Sequence, residues 1–139
     1  MRQLHRTLQV ETRGKALYDL TSLVRAALTE SAIETGLLTV FIAHTSASLV
    51  IQENADPEVL RDLERFFARL VPDGDPLFRH IDEGADDMPA HVRAALTQTS
   101  LGVPVLDGQL TLGVWQGIYL YEHRNRPHMR DVIVHVIGA

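Results

Sequence analysis

A chain of 139 residues fits a single domain with its own core, since proteins of about 150 residues bury roughly 70% of the surface their unfolded chains expose. The formal net charge of −5 speaks against a protein that coats nucleic acid, and the lack of cysteine excludes disulfides, thiolate nucleophiles and thiolate metal centres while agreeing with a reducing compartment. Apolar runs of about eight residues fall far short of the roughly 20 that span a bilayer, and the polar, basic N-terminus lacks the apolar core of a signal peptide, so the expectation is one cytoplasmic domain over 1–139 with neither nucleic acid nor membrane as partner.

Between Gln3 and Val10 the apolar residues Leu4, Leu8 and Val10 share one parity, as on a first or edge strand, with Arg6 interrupting. Thr12-Arg13-Gly14 reads as a turn and Ala16 to Leu20 as a short second strand. Leu20, Leu23, Val24, Ala27 and Leu28 then recur at helical spacing after a start near Thr21 or Ser22, and Gly36 is placed to stop the chain after that helix. Leu37 to Ala43 is continuous, apolar and partly β-branched, which predicts a strand covered on both faces. It delivers His44. Ala47 to Ile51 is extended again, so a hairpin or one bent strand runs through His44-Thr45-Ser46.

Asp56-Pro57 predicts a helix start, with Asp as cap and Pro at the first helical position. Val59, Leu60, Leu63, Phe66, Phe67 and Leu70 form the apolar stripe of that helix, which Pro72 and Gly74 end. Pro72 to Asp87 reads as a loop carrying Phe78 and His80, of a length that suits a lid or binding loop. A further helix starts around Pro89 with Asp87 as its cap and His91 in its first turn. Val103 to Leu106, the turn Asp107-Gly108, and Gln109 to Tyr121 predict a hairpin leading into a long strand. Glu122 to Arg130 reads as a connecting loop and Asp131 to Ile137 as a last, interior strand. The fold class is α+β, with a mainly antiparallel or mixed, sandwich-like sheet and two to three helices.

The side chains able to do chemistry gather at a few junctions. His44 ends an apolar strand beside two hydroxyl residues, where an imidazole serves as acid, base or ligand, or as a structural group bonded to backbone. Ser46 suits hydrogen bonding to a ligand better than nucleophilic attack, because its setting is no nucleophile elbow. Glu53, outside the helix that follows it, is free to be a base or metal ligand, whereas Asp56 suits the helix cap. Asp86, Asp87 and His91 place two carboxylates and an imidazole over one helical turn. Gln116 in an apolar strand is either part of a core network or a ligand contact. Among Glu122, His123, Arg124, Arg126 and Arg130, an arginine can hold a phosphate through two bonds.

Three blocks, HTSASLVIQENADPEVLRDLERFF from His44, DDMPAHVRAAL from Asp86 and LGVWQGIYLYEHR from Leu112, closely resemble the signature of the YjbQ family, often labelled secondary thiamine-phosphate synthases. The resemblance spans nearly the whole chain. It implies a β-rich α+β domain, a homotrimer, and a pocket near the subunit contacts built from His44, Ser46, Glu53, Asn54, Asp56, His80, His91, Gln116, Glu122 and Arg130. One departure is Val114, where relatives commonly carry threonine before Trp-Gln-Gly. The activity it implies is formation of thiamine phosphate from a pyrimidine pyrophosphate and a thiazole phosphate. His44, Glu53 and His91 are the expected catalytic residues, and Ser46, Asn54, Asp56, Gln116, Glu122 and Arg130 the expected ligand contacts.

From the residues themselves, His44, His80 and His91 are expected to converge on one polar cavity that holds a divalent metal such as zinc or, without metal, an anion. Glu53 is expected to approach it from the helix start, with Arg130 or Arg124 at its rim. Two other functions fit the same side chains: metal-assisted hydrolysis of a phosphate ester, and a trimeric ligand-binding protein without turnover.

Overall fold

From Arg130 to Val136 every second side chain is buried, and the same holds from Leu38 to Ile42 and from Leu101 to Val105. Side chains of a strand alternate between faces, so each of these segments turns one face inward. In the computed structural model, which describes residues 1–139, the elements are β1 (Arg2–Thr12), β2 (Ala16–Asp19), α1 (Thr21–Ser31), β3 (Gly36–Ile42), β4 (Ala47–Glu53), α2 (Pro57–Leu70), α3 (Asp87–Leu96), β5 (Ser100–Leu106), β6 (Gln109–Leu110), β7 (Gln116–Glu122) and β8 (His128–Gly138). They form a five-stranded sheet in the order β1-β8-β3-β5-β6 and a three-stranded sheet in the order β2-β7-β4, with every pairing antiparallel. The fold is α+β.

The core lies between the sheets and under α1. Leu38, Val40 and Ile42 of β3 and Val132, Val134 and Val136 of β8 meet Leu49 of β4 and Ile118 and Leu120 of β7, with Leu20, Val24 and Leu28 from the α1 side. Truncating one such leucine to alanine costs about 2–5 kcal/mol.

β8 is interior, between β1 and β3, and β1 is the sheet edge, as their patterns predict. The strand that is covered on both faces is β7, buried from Gly117 to Glu122, rather than β3, whose Leu37 and Phe41 are 46% and 43% exposed. An unbroken apolar run shows that each face is apolar, and leaves open whether both are covered within one chain. The corner at His44-Thr45-Ser46 makes neither a hairpin nor one bent strand: β3 pairs with β8 and β5, β4 pairs with β7, and the corner carries the chain from one sheet to the other.

Asp56 caps α2 as expected, its Oδ1 accepting the Glu58 N–H at 3.0 Å. α1 ends at Ala32, in the left-handed region at φ 54°, and Gly36 instead opens β3. Asp107-Gly108 forms the β5–β6 turn with φ of 52° and 71°, both positive as a tight hairpin requires. β6 is only two residues long, so the long strand expected up to Tyr121 is broken by an exposed turn at 113–116, in which the Gln116 N–H donates to the Gly113 carbonyl at 3.0 Å.

Candidate functional site

Strand parity brings an acid and a base together at one end of the sandwich. Glu122 continues the inward series Ile118, Leu120 on β7, and Arg130 continues the inward series Val132, Val134 on β8. Across the gap Arg130 Nε donates to Glu122 Oε1 at 2.8 Å and Nη2 to Oε2 at 2.5 Å, in a pair whose side chains are 4% and 0% exposed. Glu122 also accepts Thr12 Oγ1–H at 2.6 Å and the backbone N–H groups of His123 and Arg124 at 3.0 and 3.1 Å. Burial alone would raise its pKa; the bonds from Arg130 and Thr12 outweigh that and hold it below the usual carboxylate range.

The sheet-crossing corner supplies the other side. Arg130 Nη2 donates to Ser46 Oγ at 3.0 Å, and Nη1 lies 3.4 Å from His44 Nδ1. The Asp131 N–H donates to His44 Nε2 at 2.8 Å, so a neutral His44 carries its proton on Nδ1. Burial first, and the Arg130 charge second, depress its pKa and keep it neutral. Nδ1–H and the Nη1 hydrogens therefore stand side by side as two donors, an arrangement that accepts an anionic oxygen.

One residue along the chain, the Thr45 carbonyl accepts from His91 Nδ1 at 2.9 Å. His91 stands on α3 four residues after Asp87, on the same helix face, and its Nε2 lies 3.1 Å from Asp87 Oδ2. His80, from the long loop between α2 and α3, brings its Nε2 to 2.7 Å from the same oxygen. The other Asp87 oxygen accepts from Arg124 Nη1 at 2.6 Å, while Arg124 Nε bonds Asp86 Oδ2 at 3.0 Å and Nη2 bonds the Glu83 carbonyl at 2.8 Å. Burial pushes Asp87 up, but the His80 hydrogen bond and the Arg124 charge outweigh it and hold its pKa below the ordinary value. The three donor atoms of His80, Asp87 and His91 lie within 4.8 Å of one another.

The structure thus brings together His44, Ser46, Glu122 and Arg130, and places His80 and His91 beside them through Thr45. His44 stands outside the imidazole cluster, because its Nε2 is taken by the backbone of β8; Asp87 holds the third position. Asp87 does not cap α3. The residue before the helix is Asp86, with no side-chain cap bond, and Asp87 is buried at 2% exposure, turned toward the histidines.

Glu53, Asn54, Asp56 and Gln116 lie elsewhere. In the β4–β7 ladder Ala47 faces Glu122 at one end and Glu53 faces Gln116 at the other, a separation of about 20 Å for six residues of strand. At that far end the Glu53 carboxylate accepts the N–H groups of Ala55 and Asp56 at 3.0 and 3.3 Å, and Asn54 Nδ2 donates to the carbonyls of Val114 and Gln116 at 3.1 and 3.3 Å. Gln116 is exposed, with its side-chain oxygen accepting the Gly113 N–H at 2.7 Å, so it belongs to no core network. Val114 is 77% exposed on the same turn.

Behind the corner lies a buried relay that its sequence pattern concealed. His123, fully buried, shares a 2.8 Å hydrogen bond between Nε2 and Ser48 Oγ, and Ser48 Oγ in turn accepts from Thr97 Oγ1 at 2.5 Å. His123 Nδ1 has no partner, and burial drives its pKa down to about 3. Nearby, Arg93 grips Glu64 through two bonds of 2.7 and 3.2 Å, Tyr121 donates to the same carboxylate at 3.0 Å, and burial with the Glu64 charge raises the Tyr121 pKa. The one signal for His123 and Arg124 was their place in a charged run at the end of an apolar strand.

Fold and corner together define a class: a small two-sheet α+β domain with a polar site where the chain passes from one sheet to the other. A family model described as UPF0047 protein YjbQ-like matches residues 6–139, and the chain belongs to the YjbQ family. It is 56% identical over 137 residues to a UPF0047 protein of Synechocystis, covering 99% of this chain and 93% of that one. With the UPF0047 protein YjbQ of Escherichia coli it shares 40% identity over 134 residues, 96% of each chain. Among solved structures, a conserved hypothetical protein of Thermus thermophilus superposes with a TM-score of 0.86 at 36% identity, covering 95% of this chain and 99% of that one.

Proposed function

We propose that the corner is the active site of an enzyme acting on phosphorylated heterocycles, with weak, secondary thiamine-phosphate synthase activity. The observation that carries this is the pair of donors, His44 Nδ1–H and Arg130 Nη1, set side by side by Asp131 and Glu122. A buried guanidinium is costly unless every polar edge finds a partner. Here Glu122 takes Nε–H and one hydrogen of Nη2, Ser46 takes the other, and Nη1 is left for an anionic oxygen.

In the synthase reaction the thiazole nitrogen forms a bond to the pyrimidine methylene carbon as the bond from that carbon to the pyrophosphate oxygen breaks. The electron pair leaves on pyrophosphate. Donors fixed where that charge develops speed its departure and need no reorganisation at the moment of reaction. His44 and Arg130 are suited to that task, and the second imidazole, His91, is held beside them by the Thr45 carbonyl.

Purified protein supplied with the pyrimidine pyrophosphate and the thiazole phosphate is expected to form thiamine phosphate, and His44→Ala to lose it. Equal product from both proteins overturns the assignment. Stabilisation by either precursor without turnover supports the third alternative, a non-catalytic ligand-binding protein. Hydrolysis of a phosphate ester, the second alternative, is favoured by one further observation, the His80–Asp87–His91 group. A panel of phosphate esters assayed with and without chelator separates it from the synthase.

The same proposal includes a homotrimer working in the cytoplasm. Its support is the outer face of the five-stranded sheet, where Leu37 pairs with Ile137 and Pro104, and Phe41 pairs with Ile133. Leu37, Phe41, Leu106 and Ile137 are 36–56% exposed in the single chain, an apolar face of the kind that subunit contacts cover. Sedimentation equilibrium at micromolar concentration is expected to give three times the chain mass. A stable monomer removes the trimer.

A further inference from the structure

We propose that His80 Nε2, Asp87 Oδ2 and His91 Nε2 bind one divalent transition-metal ion, zinc first, with at least one coordination position left for water or an anionic oxygen. The inference begins with the proton inventory of His91. Its Nδ1 lies 2.9 Å from the Thr45 carbonyl, and a carbonyl only accepts, so Nδ1 carries a hydrogen. In the neutral ring Nε2 then bears a lone pair, and that lone pair faces Asp87 Oδ2, an anionic acceptor, at 3.1 Å. Two acceptors facing each other in a half-buried place repel. A cation between them removes the conflict.

The surrounding bonds are those of a metal centre's outer shell. Metal-bound imidazoles commonly donate their second N–H to a backbone carbonyl, as His91 does to Thr45, and ligating carboxylates are themselves hydrogen-bonded. Arg124 takes the other oxygen of Asp87 at 2.6 Å and leaves Oδ2 as the single ligand atom. The three donors lie within 4.8 Å of one another, with separations of 2.7 and 3.1 Å to the shared oxygen. A tetrahedral ion with bonds of about 2.0–2.1 Å needs ligand separations of about 3.3 Å. His80 sits on a loop with its side chain 45% exposed, so the small opening required falls on the most adjustable of the three.

Charge points the same way. Asp86 and Asp87 share a single guanidinium, Arg124, and Glu122 is matched by Arg130, which leaves the corner's carboxylates in excess of its guanidinium groups. An anionic ligand bound by His44 and Arg130 meets that excess unless a further cation is present. Two imidazoles, one carboxylate and no thiolate suit zinc and its divalent neighbours rather than calcium or magnesium.

The test uses the full chain without an affinity tag, stripped with chelator and titrated calorimetrically with zinc chloride, and with cobalt(II) chloride while its visible absorption is followed. One ion per chain is expected, with an intensified cobalt band from imidazole ligation. His80→Ala is expected to weaken binding at least tenfold and His91→Gln to abolish it, with circular dichroism of both stripped variants matching the parent. The control is His135→Ala, because His5 and His135 stand ring to ring at 6.3 Å on the sheet face and offer the competing explanation; it is expected to change nothing. Absence of saturable binding overturns the proposal. So does binding that survives both His80→Ala and His91→Gln, or binding that His135→Ala removes. A chain that binds zinc and makes no thiamine phosphate keeps this inference and loses the synthase assignment.

Discussion

Glu122 and Arg130 come from different sheets and meet through two hydrogen bonds at the end of the core, although eight residues of chain separate them. The pair is asymmetric. Without Arg130 the carboxylate still accepts from Thr12 and from two backbone N–H groups, whereas without Glu122 the guanidinium keeps only Ser46 beside the His44 ring.

Removing one partner of a buried pair costs about 3–5 kcal/mol because the other charge stays buried. Glu122→Ala is expected to reach that range in urea unfolding, and Arg130→Met to cost clearly less. Equal losses would show that the accessory bonds to Glu122 carry no weight.

Stability is expected to fall between about pH 6.5 and pH 5 by up to about 1.4 kcal/mol per pH unit from His123 alone. In that window the unfolded chain protonates this imidazole while the folded chain, with its pKa held down to about 3, does not. The unfolded state therefore binds more protons, and stability rises with pH. His44, also depressed, acts in the same direction. Glu122, Asp86 and Asp87 have folded pKa values below their ordinary ones, so their contribution is intact above the unfolded carboxylate range and is lost only as pH falls through the folded values. His123→Phe is expected to flatten the slope between pH 6.5 and 5, measured by unfolding at fixed urea intervals. A parallel slope in the variant counts against the buried neutral imidazole.

Asp56→Ala removes the side-chain acceptor for the Glu58 N–H, and a lost N-cap of this kind costs about 1 kcal/mol. A lower melting temperature is expected, with helix content retained because Phe67 of α2 still packs edge-on against Tyr121 of β7. Asp56→Ser is expected to restore most of the loss, since its hydroxyl also caps.

Gly36 pairs with Gly138 where β3 and β8 begin and end, and a Cβ at Gly36 would lie 2.1 Å from the Ile137 carbonyl oxygen. The obstacle is backbone, which has no rotamer to escape into. Gly36→Ala is expected to cost about 3 kcal/mol or more, at the severe end for a single substitution, and a thermal melt will read it. A near-neutral effect would mean that the strand end frays to make room.

Gly36 also marks the limit of reading a chain locally. Its place after a helix suggested a stop signal, yet it serves a close approach between β3 and β8, whose residues lie about a hundred positions apart. What the sequence by itself determined is what local forces determine. The parity of Leu4, Leu8 and Val10, the Asp56-Pro57 helix start, the stripe from Val59 to Leu70 and the Asp107-Gly108 turn each follow from the geometry of one element and its neighbours, and each is present. Residue types also marked the corner: His44, Ser46, Glu122 and Arg130 are together.

Only the tertiary structure decided which polar residues share a site. Glu53 follows Ser46 by seven positions and reads as its neighbour, but an extended strand carries it about 20 Å away. Asp87 precedes a helix-favouring run and reads as a cap, yet it turns inward because His80, on the loop that leads into α3, and Arg124, just past the end of β7, offer it stronger partners than a backbone N–H does. Those pairings depend on sheet register and on where a long loop folds back. Neither is written in the spacing of residues along one element, since both are set by contacts between elements that meet only once the core has closed.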